Sequence, residues 1–126
     1  MKLLLDTHAL VWALADPAKL PARIRDDVRE PANEVFVSPA NIWEIAIKHA
    51  LGKIDAEAEA IATAAAESGF KELPVRIPHT VRIASLPAIH RDPFDRLLIA
   101  QALVEELTLA TRDRVFRSYG VTTRWR

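Results

Sequence analysis

Short apolar runs alternate with longer stretches of helical periodicity along this chain, and this alternation limits the possible folds most strongly. Apolar, strand-like runs lie at 2–6, 34–38, 70–75 and 107–111, and a weaker fifth run lies at 120–125. Helical patterns fill the intervals between them. Strands that alternate with helices favour a parallel sheet covered by helices on both faces. We therefore predict an α/β protein, an α/β/α sandwich with a mostly parallel sheet of four to five strands.

The length and composition fit one domain spanning residues 1–126. Half of the residues are hydrophobic, which is enough for a packed core and argues against disorder. There is no cysteine, so disulfides and thiolate metal sites are excluded. No apolar run approaches the roughly 18 residues of a membrane span, and no signal peptide is recognisable. We expect a soluble, cytoplasmic protein. A glycine-rich phosphate loop is missing, which argues against an NTPase.

Acidic residues follow the predicted strands at the positions where a parallel α/β sheet binds ligands. Asp6 closes the first strand, and Asp113 lies two residues after the strand at 107–111. Glu44 lies in the second turn of the helix after the strand at 34–38. In such sheets, ligands bind beyond the carboxyl ends of the strands. We therefore expect these three carboxylates to meet at that edge.

A fourth acid, Asp95, begins an unusually apolar helix in the segment HRDPFDRLLIAQA at 90–102. It shares a helical stripe with Leu98, Ile99 and Ala102, which should be buried. A buried carboxylate is costly unless it is paired, protonated or bound to a metal. Asp95 therefore calls for a partner, although a longer preceding connection is needed to bring its helix to the same sheet edge.

Each of the acids also has a purely structural interpretation. Asp6 could cap the helix that starts at Thr7, and Asp113 could be a turn residue. Glu44 falls on a polar helical face with Asn41 and could simply pair with Lys48 at i,i+4. In the helix that begins after residue 91, Asp92 could be the N-cap, followed by Pro93 at the first helical position. Asp95 could simply interact favourably with the helix dipole in the first turn.

A cluster of four carboxylates would demand a cation. At about 6 Å and an effective dielectric constant of about 20, each pair repels by about 3 kcal/mol. Such a cluster requires either a bound metal ion or raised pKa values. Oxygen-only ligands select hard cations, so Mg²⁺ or Mn²⁺ is expected. A metal held in this way can activate water and stabilise a phosphoryl transition state.

Four stretches of the chain resemble PIN-domain ribonucleases, and within them the VapC-type toxins of toxin–antitoxin pairs. They are LLLDTHALVW, SPANIWEI, HRDPFDRLLIAQA and LATRD, spread in this order over residues 3 to 113. The resemblance implies a PIN-like sandwich, a Mg²⁺ or Mn²⁺ pocket and cleavage of single-stranded RNA. It also implies a homodimer and a cognate antitoxin that buries the site.

The resemblance assigns roles to individual residues. Asp6, Glu44, Asp95 and Asp113 are the expected catalytic and metal-binding acids. Asp92 is an additional acid that either reaches the metal or only caps its helix. The expected substrate-binding residues are Thr7, Thr111, Arg112 and Arg114.

Some features leave other interpretations open. The tail from 111 to 126 carries five arginines among aromatic residues, a pattern that suits single-stranded nucleic acid but also a solvated edge. His49 is expected in the core, whereas His8 and His90, two residues from acids, are weak candidates for substrate contact. A receiver domain is disfavoured, because Asp6 is followed by Thr7 and no lysine follows the late strand. A non-catalytic PIN-like binding module is the remaining alternative.

Overall fold

One sheet of five parallel strands forms the centre of the protein. The computed structural model describes residues 1–89 and 92–126. The strand order is β3-β2-β1-β4-β5, and every adjacent pair is parallel. The strands are β1 (Lys2–Leu5), β2 (Glu34–Val37), β3 (Lys71–Glu72), β4 (Thr108–Ala110) and β5 (Thr123–Arg124). This confirms the predicted α/β sandwich, with an all-parallel sheet.

Within residues 1–89 and 92–126, six α-helices connect the strands, and α1, α3 and α6 begin after residues whose side chains cap them. They are α1 (Thr7–Ala15), α2 (Ala22–Arg29), α3 (Pro39–Ala50), α4 (Ala58–Glu67), α5 (Ile77–Ile83) and α6 (Pro93–Glu105). Ser38 caps α3 and Asp92 caps α6, each with proline at the first helical position. The Asp92 cap agrees with the structural interpretation that the sequence offered.

Alternate residues of the central strand supply two separate cores, one on each face of the sheet. Leu3 and Leu5 belong to the cluster that packs against α1 and α2. Leu4 belongs to the other cluster, which includes Leu98 and Ile99 of α6. This follows from the two-residue period of a strand, in which successive side chains point to opposite faces. All five side chains are fully buried.

Several predicted elements differ from those observed. The third strand, expected at 70–75, is reduced to Lys71–Glu72, and the weak fifth run pairs only at Thr123–Arg124. Two short 3₁₀ helices, Pro17–Lys19 and Arg114–Tyr119, were not predicted. The expectation of a core His49 is wrong. Its ring is exposed near the end of α3, and its Nδ1 lies 3.1 Å from the Ile54 carbonyl oxygen. His90, a weak candidate for substrate contact, lies outside the described residues.

The connectivity places a crevice between β1 and β4. From β1 the chain builds outward through β2 to β3, and it then returns to the other side of β1 to add β4 and β5. The strand order therefore reverses between β1 and β4, which is where ligands bind in open parallel sheets. The Asp6 amide, just past β1, donates to the Ala110 carbonyl at the end of β4 at 3.1 Å. Within the described residues, no helix has the length and apolarity needed to span a bilayer.

Candidate active site

A cavity of about 370 Å³ opens at the carboxyl edge of the sheet, at this crevice. All four predicted acids contribute to its wall, together with Asp92. The acidic cavity, as we call it, is lined by Asp6, Thr7, His8, Glu44, Lys48, Asp92, Asp95, Arg112, Asp113, Arg114 and Phe116. The connection before α6 therefore does bring the Asp95 helix to the same edge as the other three acids.

Asp6 is the most buried of the aspartates in this cavity, at 8% exposed. It caps α1, because its Oδ1 accepts a hydrogen bond from the Ala9 amide at 2.8 Å. Burial raises the pKa of Asp6 to about 6, and the Glu44 carboxylate adds to this effect. The Ala9 amide, the Thr111 hydroxyl and the Arg112 charge lower the pKa but do not compensate for burial. The Asp6 site is thus poorly suited to an uncompensated anion.

Glu44 is also buried, at 3% exposed, although its sequence position suggested a polar helical face. The Thr7 hydroxyl donates to its Oε1 at 2.6 Å, and the Lys48 ammonium forms an ion pair with Oε2. The pairing with Lys48 that the sequence suggested is therefore present, but it lies inside the cavity. Both carboxylate oxygens of Glu44 are already engaged.

Asn41 fixes this arrangement from behind and was not recognised in the sequence. Its side chain is fully buried, and its Nδ2 donates to the Leu5 carbonyl at 3.2 Å and to the Thr7 hydroxyl at 3.1 Å. Its Oδ1 accepts from the Ser38 amide at 2.8 Å. Asn41 thereby ties the end of β1 to the start of α3. A Ser-x-x-Asn capping box was the available signal.

The start of α6 presents two further acids. Asp92 accepts from the Phe94 amide at 2.9 Å and from the Asp95 amide at 3.0 Å, so it does cap the helix. Asp95 lies one turn inside and is half-buried, while Leu98 and Ile99 below it are fully buried. The predicted stripe is therefore correct, and it ends in the cavity at Asp95.

The segment after β4 completes the wall. Asp113 caps the 3₁₀ helix Arg114–Tyr119 by accepting from the Val115 amide at 3.0 Å, and its own amide donates to the Thr111 hydroxyl at 3.1 Å. Thr111 is buried, whereas Arg112 and Arg114 are exposed at the rim. The predicted substrate-binding residues thus divide into buried threonines that hold acids and exposed arginines that face solvent.

Two basic side chains in the cavity have pKa values that are shifted in opposite directions. Burial lowers the pKa of Lys48, but its hydrogen bond to Glu44 and the charges of Glu44, Asp92 and Asp95 outweigh this and raise it. The pKa of His8 is lowered by burial and by the nearby Arg112 and Lys48. In the sequence, Lys48 was considered only as a surface partner of Glu44. Its i,i+4 spacing from Glu44 was the signal that could have placed it in the cavity.

The donor chemistry of the cavity fits a hard divalent cation. All its acidic ligands are carboxylate oxygens, the type that Mg²⁺ and Mn²⁺ prefer. Burial raises the pKa of Asp6, and a cation bound beside it would offset this cost of the buried carboxylate. In the present arrangement, no three acidic, histidine or cysteine side chains within residues 1–89 and 92–126 are grouped closely enough to hold an ion. Binding would therefore require these side chains to move closer together.

Comparison with known families decides the classification. The family model described as PIN domain matches residues 3–121. The chain belongs to the PIN domain family. PIN domains are generally nucleases that use divalent metal ions.

Solved structures share this PIN fold over nearly their whole length. The VapBC2 structure from Rickettsia felis, bound to a DNA fragment from its promoter, matches with a TM-score of 0.74 and 16% identity, covering 98% of each chain. DNA-bound VapBC from Salmonella typhimurium matches with a TM-score of 0.69 and 17% identity, covering 98% of this chain and 97% of that one. FitAcB from Neisseria gonorrhoeae matches with a TM-score of 0.68 and 21% identity, covering 96% and 95%. No significant match to a curated protein sequence was found.

Proposed function

We propose that this PIN domain, spanning residues 1–126, is a metal-dependent endoribonuclease that acts as the toxin of a toxin–antitoxin pair. The observation that supports this most strongly is the convergence of Asp6, Glu44, Asp95 and Asp113 on one cavity at the switch point of the sheet. Separate segments of the chain supply these acids, and their mutual repulsion is unfavourable for stability without a cation. The substrate is a single-stranded region of RNA.

The four acids would hold Mg²⁺ or Mn²⁺, with Asp92 acting mainly as the cap of α6. A cation bound there supplies activation of a water nucleophile and neutralisation of charge on the phosphoryl group. Each Glu44 oxygen accepts one hydrogen bond and keeps a further lone pair that could bind the ion. A cation there would repel the Lys48 ammonium at Oε2, so Lys48 is the partner that it would displace.

The protein's own side chains position the remaining parts. The Thr7 hydroxyl and the Asn41 amide keep Glu44 directed into the cavity. Arg112 and Arg114, exposed at its rim, are placed to contact phosphate oxygens, to which a guanidinium can donate two parallel hydrogen bonds. Thr111 supports Asp113 and Asp6. These residues orient the acids and the substrate.

The partners follow from the similarity of folds. The VapBC and FitAcB structures contain toxin–antitoxin pairs, and two of them are described with promoter DNA or another DNA fragment. We infer that this chain also pairs with an antitoxin that covers the acidic cavity, and that it forms a homodimer. Co-purification with the product of a neighbouring small gene, followed by size measurement of the complex, tests both inferences.

Cleavage of total cellular RNA tests the proposed activity. Purified protein is incubated with RNA and Mn²⁺ or Mg²⁺, with an EDTA control, and new 5′ ends are sequenced. Asp95→Asn should abolish cleavage and retain the fold, while the matched variant Asp26→Asn on exposed α2 should cleave normally. Cleavage that survives in Asp95→Asn contradicts the site assignment.

The alternative function is a non-catalytic PIN-like module that binds RNA or protein. The specific observation in its favour is that no preformed metal-ligand group is found among the described residues. RNA binding with no metal-dependent cleavage of any RNA pool, by a protein that binds Mn²⁺ in calorimetry, would establish this alternative. The appearance of metal-dependent ends would exclude it.

A further inference from the structure

A second cavity, rich in arginine, adjoins the acidic cavity. It has a volume of about 290 Å³, and we call it the arginine cavity. Its wall contains the guanidinium-bearing residues Arg112, Arg114, Arg117 and Arg126, together with Trp125. Arg112, Asp113 and Arg114 line both cavities. A ligand that leaves the acidic cavity across this shared wall therefore enters the arginine cavity directly.

The arginine cavity carries an excess of positive charge, because its wall holds four arginines and a single acidic side chain, the carboxylate of Asp113. Within residues 1–89 and 92–126, Arg112, Arg114, Arg117 and Arg126 form no ion pair with a carboxylate. Arg124 shows the contrast, because it pairs with Asp27 of α2 and lies outside this cavity wall. Four guanidinium groups around one small space repel one another and outnumber the Asp113 carboxylate, so the cavity favours an anion with several negative charges.

The cavity is held in place by contacts that leave its charges available. The Arg117 Nε donates to the Thr123 hydroxyl at 3.3 Å, and Arg23 of α2 donates to the Arg126 carbonyl at 2.7 Å. The latter contact fixes the backbone at Arg126 and does not involve its guanidinium. The arrangement thus positions the end of the chain beside the site instead of leaving it as a solvated tail.

Aromatic rings continue from the arginine cavity towards α1. Trp125 is half-buried, and its ring centroid lies 6.2 Å from that of Trp12. The Arg112 guanidinium lies over the Trp12 ring at 5.1 Å. Arginine beside aromatic faces is the combination that binds single-stranded nucleic acid, with phosphates on the arginines and bases stacked on the rings.

We propose that the arginine cavity binds the sugar–phosphate backbone of single-stranded RNA beside the cleaved phosphodiester, with a base stacked on Trp125. This inference rests on the proposed ribonuclease function and identifies how its substrate is held. RNA is favoured over an acidic peptide, because an acidic peptide would use the arginines but has no need of the tryptophan next to them. The contacts are to phosphate and to a π-face, so this subsite does not select a base sequence.

Binding of a fluorescein-labelled 12-nucleotide oligouridylate, measured by anisotropy in EDTA over a range of salt concentrations, tests the inference. The variant is Arg117→Ala/Arg126→Ala, since neither residue lines the acidic cavity. Loss of two phosphate contacts should make the slope of log K against log salt less steep by about 1.4 and weaken binding about 25-fold at 0.1 M salt. The matched control Arg29→Ala/Arg82→Ala removes the same charge away from both cavities. Salt screens such distant charges, so this control should bind the RNA within about two-fold of the unmodified protein.

The stacking contact is tested separately. Trp125→Leu should weaken binding about five-fold or more, whereas Trp125→Phe should largely restore it, because phenylalanine keeps an aromatic face. Thermal unfolding of each variant shows whether the fold is retained. If Leu and Phe bind equally well, the stacking part of the inference is wrong.

The outcomes separate this inference from the proposed function. If the unmodified protein cleaves RNA but the Arg117/Arg126 variant keeps the salt slope and affinity of its control, the arginine cavity is not an RNA subsite and the nuclease assignment stands. If the unmodified protein neither binds nor cleaves RNA, both are overturned. If polyglutamate binds the cavity more tightly than oligouridylate, the occupant is an acidic peptide and the RNA assignment is overturned.

Discussion

Replacing Asp6 by asparagine should stabilise the metal-free protein at neutral pH while it abolishes cleavage. Asp6 is 8% exposed, and burial raises its pKa from 3.8 to about 6. In the unfolded chain the same carboxyl group ionises near its ordinary value. Folding therefore disfavours the ionised form, which asparagine cannot adopt. The carboxamide oxygen of Asn can still accept the Ala9 hydrogen bond that caps α1.

The sign and the size of the effect follow from proton linkage. A carboxyl group whose pKa is raised in the folded state causes stability to be lost as pH rises from the unfolded value to the folded value. The loss begins near pH 4 and is complete above pH 6. A shift of about 2 pKa units corresponds to about 3 kcal/mol. Asp6→Asn should therefore match the unmodified protein at pH 4 and exceed it by up to about 3 kcal/mol at pH 7.5.

Urea unfolding in EDTA at pH 4.0, 5.5 and 7.5 measures this difference. At pH 7.5 the midpoint of thermal unfolding should rise by about 10 °C for a chain of this size. The matched variant Asp26→Asn, on an exposed position of α2, should change stability by less than about 0.5 kcal/mol at each pH. Mn²⁺ at 1,000 times Kd should reverse the order, because binding then adds about 4.1 kcal/mol to the unmodified protein alone.

One result would refute this reasoning. If folded Asp6→Asn is less stable than the unmodified protein at pH 7.5 in EDTA, the carboxylate stabilises the fold in its ionised form. The capping bond and the nearby Arg112 would then outweigh burial, and the argument that burial disfavours the ionised form of Asp6 would fail.

Four further predictions concern single side chains. Lys48→Ala leaves the buried Glu44 carboxylate without its ion pair. Calorimetry should show a free energy of unfolding that is lower by about 2 kcal/mol in EDTA and that recovers when Mn²⁺ is added. Asn41→Ala leaves a buried amide and a buried carbonyl unpaired, so unfolding in urea should show a loss of about 2–3 kcal/mol and cleavage should slow. Gly120→Ala forces alanine into the left-handed region at φ 80°, where its Cβ contacts nothing, so only conformational strain of about 1 kcal/mol is expected in thermal unfolding. Asp92→Ala should lower the free energy of unfolding by about 1 kcal/mol through the lost cap, while Asp92→Ser should keep both stability and cleavage. Loss of cleavage in both variants would show that the carboxylate acts in the site.

The sequence was sufficient to predict the parallel sheet and the location of the acidic cavity, because both follow from short-range patterns. The alternation of apolar runs and the caps at Ser38 and Asp92 are local signals, and the rule for strand ends then located Asp6 and Asp113. The stripe of Asp95 over Leu98 and Ile99 indicated a buried, partnered acid. These patterns need no knowledge of how distant segments pack.

The parts that could not be predicted depend on packing between distant segments. Helical periodicity places Glu44 on a polar face with Asn41, yet both are buried, because the end of β1 and the start of α1 cover that face. At the end of α3 the helix is not covered in this way, and both His49 and Ala50 are exposed. The observed strands also differ in length from the predicted ones, because backbone pairing with a neighbouring strand decides where a strand ends. At β3 only Lys71 and Glu72 find partners on β2.

The structural and catalytic interpretations of the acids are compatible, because the same hydrogen bonds serve both. Asp6, Asp92 and Asp113 each cap a different helix, and all three line the acidic cavity. A carboxylate has about four acceptor sites on its two oxygens, so a cap that uses one or two of them leaves others available to a ligand. The positive ends of the helix dipoles also reduce the repulsion among the acids, although the Glu44 charge still adds to the raised pKa of Asp6, which is caused mainly by burial. Capping therefore positions the acids before a cation binds, and the remaining repulsion gives that cation its affinity.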